Sequence, residues 1–108
     1  MLGELYMRQN KLQKAEVSLT FALAGYQEAH DVLGEANGRG KLGALYMKQN
    51  KLQVAEISLT AAVAGHQAAH DVLLEAYDRQ MLGKLYMRQN KLQEAEISPT
   101  AALAGGSK

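Results

Sequence analysis

Leu2, Leu5 and Tyr6, followed by Leu12, Ala15, Leu19, Ala22 and Leu23, recur at the three- and four-residue spacing of a helix face. No stretch alternates apolar and polar residues as a half-buried strand does, and good helix formers dominate. The two apolar sets are separated by Gln9-Asn10-Lys11, which returns as Gln49-Asn50-Lys51 and Gln89-Asn90-Lys91. Asn tolerates the left-handed conformation that ends a helix, so each tripeptide predicts a short turn. A second break falls at His30-Asp31 and His70-Asp71, where the Asp can cap the helix that follows. The pattern therefore predicts a helix A from about Val32 to Gln49 and a helix B from about Leu52 to Ala69. The pair recurs from about Val72 to Gln89 and from Leu92 to about Ala104, and the first copy begins inside a helix A.

These elements belong to a longer repetition. MLGELYMRQNKLQ at Met1 returns as KLGALYMKQNKLQ at Lys41 and MLGKLYMRQNKLQ at Met81, and Ala-His-Asp-Val recurs at 29–32 and 69–72. Self-similarity at one fixed period indicates a stacked-repeat protein. The expected organisation is a single all-α domain over residues 1–105, with copies 1–40, 41–80 and 81–105, about 2.7 repeats cut out of register. Residues 106–108 leave the pattern and read as a linker or cloning remnant. Near-identity of the copies suggests recent duplication or an engineered chain.

Each copy carries Leu-Gly with an aromatic three positions after the Gly: Leu2-Gly3 with Tyr6, Leu42-Gly43 with Tyr46, and Leu82-Gly83 with Tyr86. Small residues follow at Ala15, Ala55 and Ala95 and again at Ala22, Ala62 and Ala102. Helix A also opens on an acidic residue and then Glu-Ala, as Asp31 with Glu35-Ala36 and Asp71 with Glu75-Ala76. This pattern resembles the tetratricopeptide repeat, in its 40-residue variant, with units like those of Pins-type adaptors and, more distantly, kinesin light chains. The resemblance implies a right-handed α-solenoid of antiparallel helix pairs whose A helices line a concave, peptide-binding face. Matching positions on that face are Glu4, Met7 and Arg8; then Asn37, Gly40, Ala44, Met47 and Lys48; then Tyr77, Gln80, Lys84, Met87 and Arg88. They form a methionine ladder and a basic stripe, suited to a partner with apolar anchors and acidic residues. A clamp for two carboxylates is not expected, because Glu4, Ala44 and Lys84 stand where the family's clamp carries asparagine.

The sequence departs from the family pattern in three places. His30 and His70 replace the usual Gly, so helices B and A can run on as one unless Asp31 and Asp71 separate them. Gly34, Gly38, Gly40 and Gly43 crowd the middle A helix, each costing about 1 kcal/mol relative to Ala. Pro99 replaces the leucine of positions 19 and 59, at roughly 3 kcal/mol in a helix interior, so the last helix should kink or fray there.

Composition narrows the function classes. The chain has 108 residues, 47% of them hydrophobic, enough to bury a core. A formal charge of +1 gives no one-signed field to steer nucleic acid or a membrane surface. Cysteine is absent, which removes disulfides and thiolate metal sites. A cytoplasmic protein is the default expectation. His66 and His70 lie four apart, a metal-compatible spacing, but Tyr26 replaces His66 in the first copy and no third ligand is near. They are expected to be a surface pair, with no metal and no cofactor. No catalytic set or phosphate loop is recognisable, so no enzyme activity is expected. Two functions remain. One is a scaffold that binds a peptide or protein segment on the concave helix-A face. The other is a structural or engineered self-associating module, either head to tail or as a helix-swapped dimer exchanged across the glycine-rich middle segment.

Overall fold

The computed structural model describes the backbone of residues 2–96 and the side chains of residues 8–93. Within these limits the chain is all-helical, with α1 (Leu2–Glu28), α2 (Val32–Lys48), α3 (Leu52–Ala68) and α4 (Val72–Glu96). Each helix packs on its neighbours in the chain, and α2 also touches α4. The core sits at the middle copy, where Met47, Leu52, Ala55, Leu59 and Leu85 are buried together. Leu42, Leu45, Ala62 and Val63 extend it along α2 and α3.

Three chain reversals produce this arrangement, at His30, Asn50 and His70, all with positive φ. Each has the same closure. At Asn50, the Lys51 N–H donates to the Tyr46 carbonyl at 2.8 Å and the Asn50 N–H to Met47 at 3.0 Å. At His30 and His70 the Asp31 and Asp71 N–H groups donate back to Tyr26 and His66 in the same way. This paired closure satisfies the last helical carbonyls around one left-handed residue. Asp31 and Asp71 then cap the next helix, accepting from the N–H of Gly34 at 2.9 Å and of Leu74 at 3.0 Å. Helices B and A are thus separate, as the capping residues predict. Histidine occupies a conformation that disfavours a Cβ by roughly 1 kcal/mol or more. Replacing His30 or His70 with Gly is expected to raise stability by up to about 1 kcal/mol in urea unfolding, with unchanged helix content.

The predicted A-to-B turn forms only once. α1 runs straight through Gln9-Asn10-Lys11 and α4 straight through Gln89-Asn90-Lys91. These two expected turns are corrected to continuous helix. The turn at Asn50 interrupts the helical hydrogen-bond ladder and places a non-glycine residue in left-handed backbone. That cost is offset because α3 returns between α2 and α4, burying Leu52, Ala55, Leu59, Ala62 and Val63. Helix α1 packs on α2 without such a two-sided enclosure among the described residues.

The glycine-rich segment forms a 17-residue helix. Its glycines are contact points. A Cβ on Gly43 would stand 2.6 Å from Leu59 Cγ, and one on Gly34 would enter the Tyr26 ring. Close approach of the helices replaces the lost intrinsic propensity with packing. Within the single chain α2 is a continuous helix packed on α1 and α3. Pro99, the helix beyond Glu96 and the 106–108 tail lie outside the described residues.

Candidate functional site

Between α2 and α4 lies a cleft of about 320 Å³ floored by α3. Helix α2 supplies Asn37, Gly40, Lys41 and Ala44, α3 supplies His66, and α4 supplies Leu74, Tyr77 and Asp78. The residues come from positions one, three, four or seven apart on each long helix, which share a face. Asn37, Gly40, Ala44 and Tyr77 are among the residues that the family resemblance assigns to a concave face, and the fold brings these four together.

The floor holds a polar group that sequence reasoning missed. His66 is 1% exposed and Asp78 2% exposed. The His66 Nδ1 pairs with the Asp78 carboxylate, and Nε2 lies 2.8 Å from the Asn37 side-chain oxygen. Asn37 can turn its amide to accept from Nε2 or to donate to it. Burial pushes the Asp78 carboxyl above its ordinary value of 3.8, opposed by the hydrogen bond and charge of His66 and reinforced by Asp71 and Glu75. Taken by itself, this carboxyl favours folding most below pH 3.8, and that contribution fades as pH rises through its higher folded-state value. Both ring nitrogens are engaged by the protein. As placed, neither is offered to a ligand, and the dyad serves to hold α2, α3 and α4 in register.

His66 therefore does not form a surface pair with His70, which sits in the turn beyond α3. No cluster of three metal-ligating side chains occurs among the described residues. A signal for the dyad existed in the sequence. At the preceding junction the positions equivalent to His66, Leu74 and Asp78 are Tyr26, Gly34 and Gly38. The Tyr26 ring there fills the space over Gly34. The Tyr26 ring needs the glycine at 34, while Gly38 lies against Leu23; at the second junction the smaller imidazole of His66 stands beside Leu74 in the cleft and pairs with the carboxylate of Asp78.

The remaining expected residues scatter. Met47 is buried at 5%, whereas Met87 is 63% exposed, so Met47 adds nothing to a surface ladder. Arg88 donates to the Met47 carbonyl at 2.9 Å and so completes the C-terminal end of α2. Lys48 lines a different, open groove of about 800 Å³ with Gln49, Lys51 and residues 9–17 of α1. In it the Gln49 amide donates to Glu16 at 3.1 Å, a link repeated one copy later between Gln89 and Glu56 at 3.2 Å. Gln80 and Lys84 are exposed on α4 outside the cleft, and Arg8 is exposed on α1. The side chains of Glu4 and Met7 lie outside the described residues.

No family model, curated protein or solved structure matches the chain. The functional reading accordingly rests on the geometry above. No described helix is long and apolar enough to cross a membrane.

Proposed function

We propose that the chain is a protein-interaction module that holds a short peptide segment in the α2–α4 cleft. The observation that carries this reading is the convergence of Asn37, Ala44 and Tyr77 on one concavity from two copies of the repeat. Leu74, Ala44 and the half-exposed ring of Tyr77 supply apolar wall, and Lys41 places an ammonium at the cleft. A segment with one apolar anchor beside an acidic residue meets both demands. The floor is preorganised by the His66–Asp78–Asn37 bonds, which lowers the ordering cost of binding. In this reading the helices stack as a right-handed solenoid of the tetratricopeptide kind, with the packing of each helix on its chain neighbours in support.

The experiment is a peptide array probed with the wild-type chain, followed by titration of captured peptides into Tyr77→Ala and Lys41→Glu. Tyr77 is 54% exposed, so its truncation spares the fold. The expected result is at least a tenfold loss for Tyr77→Ala, about 1.4 kcal/mol, and a selective loss of acidic peptides for Lys41→Glu. Undiminished binding to both variants refutes the cleft as the docking site.

A further inference from the structure

The middle copy shows within one molecule how a helix A and a helix B meet. Gly43 of α2 seats Leu59 of α3, and Gly65 of α3 seats Ala36 of α2, where an added Cβ would lie 2.7 Å from Ala36 Cβ. One repeat away, the counterparts of these two glycines are unfilled. Nothing lies within 4 Å of a Cβ built on Gly83 of α4 or on Gly25 of α1. The side chains around them agree. Met87 and Leu92 are 63% and 46% exposed, where their counterparts Met47 and Leu52 are 5% and 9% exposed. On α1, Leu12, Ala15 and Leu19 are half-buried, where Leu52, Ala55 and Leu59 are buried. Among the described residues, α4 thus shows an A face with no helix B against it, and α1 a B face with no helix A against it.

These two faces complete each other. We propose that the chain associates head to tail, the A segment of α4 in one copy packing antiparallel on residues 12–28 of α1 in a second copy. The geometry is that of the α2–α3 hairpin. Leu19 of the second copy enters the seat at Gly83, as Leu59 does at Gly43. Ala76 covers Gly25 of the second copy, as Ala36 covers Gly65. The contact continues an existing interface: α1 already packs on α2 within its own chain, so the stack α2–α3–α4 runs on into α1 and α2 of the next molecule. The straight passage of α1 through Asn10 and of α4 through Asn90 leaves both faces unclosed among the described residues. Pairing of α4 with a second α4 is the poorer fit, because the residue in the register of Leu59 would then be Pro99. A heterologous contact of this kind propagates rather than closing as a two-fold dimer.

Light scattering after gel filtration tests the proposal on the full chain with Gly83→Glu, Gly25→Glu and their mixture. Neither substitution meets a neighbour among the described residues, so the helix content of dilute samples should be unchanged. The wild type is expected to grow in mass with concentration and each variant to stay monomeric. The mixture should yield a one-to-one heterodimer and nothing larger, because each variant retains the face that the other has lost. A wild type that is monomeric at every concentration overturns the proposal. So does self-association of Gly25→Glu alone, which would indicate paired α4 helices, or of Gly83→Glu alone, which would indicate paired α1 helices. A mixture that stays monomeric while the wild type associates overturns it equally.

Discussion

Asp78→Ala is expected to destabilise the chain by about 3–5 kcal/mol at neutral pH, the largest loss of any single side chain outside the apolar core. The reason is what remains behind. His66 is 1% exposed, and its Nδ1 would lose the carboxylate that pairs with it. Urea unfolding followed by circular dichroism measures the loss. A change below about 1 kcal/mol would show that the buried pair contributes little beyond its desolvation cost. The preceding junction supplies the control. His66→Tyr, Leu74→Gly and Asp78→Gly together rebuild at the second junction the Tyr26, Gly34 and Gly38 arrangement of the first. His66→Tyr alone is expected to cost about 3 kcal/mol by overpacking, and Asp78→Gly alone about 4–6 kcal/mol, by orphaning the ring and adding a helix glycine. The triple variant should lose only about 2 kcal/mol, the propensity cost of two helix glycines. Additive losses would mean that the two junctions are not alternative solutions of one packing problem.

Leu59→Ala should cost about 3–4 kcal/mol, since Leu59 is 1% exposed at the centre of the core and leaves a cavity enclosed by three helices. Gly43→Ala alone is expected to cost about 1–2 kcal/mol. Its new methyl would press within 2.6–2.7 Å of Leu59, and this outweighs the gain of about 1 kcal/mol in helix propensity. Combined, the two changes relieve each other, because the methyl occupies space that Leu59 has left. The double variant should therefore be more stable than Leu59→Ala alone, with a coupling of about 1–3 kcal/mol in a double-mutant cycle. Strict additivity would place Leu59 elsewhere than over Gly43. At Gly83 no side chain occupies the corresponding seat, and Gly83→Ala should stabilise a dilute chain by about 1 kcal/mol. The sign of a glycine-to-alanine change thus reports which seats are filled.

Much of the local structure was legible before any coordinates. Asp31 and Asp71 read as caps and do cap. Leu-Gly recurs in every copy, and Gly43 is a point of close helix approach. These are short-range properties: a cap needs only a side-chain oxygen near free N–H groups, and a close approach needs only a missing Cβ. The candidate site was half legible. The family resemblance implied that Asn37, Ala44 and Tyr77 share a face, and all three line the cleft. The His66–Asp78 pair was missed because its halves lie on different helices. Only their joint departure from Tyr26 and Gly38 could have linked them. Met47 and Arg88 were misjudged because matching positions in a repeat do not guarantee matching exposure.

The sequence by itself determined that the described residues are helical and that the junctions where a B helix gives way to the next A helix recur 40 residues apart. It could not determine which of three nearly identical Tyr-Met-Arg/Lys-Gln-Asn-Lys segments would turn. At Asn50 the chain reverses; at Asn10 and Asn90 it does not. Because the local words are the same, local energetics are nearly the same, and the difference comes from what the returning helix can bury. Enclosure of α3 between α2 and α4 stabilises the middle turn, whereas an unbroken helical hydrogen-bond ladder prevails at the other two. Tertiary packing alone therefore decided that Met47 and Leu52 are core while Met87 and Leu92 are surface.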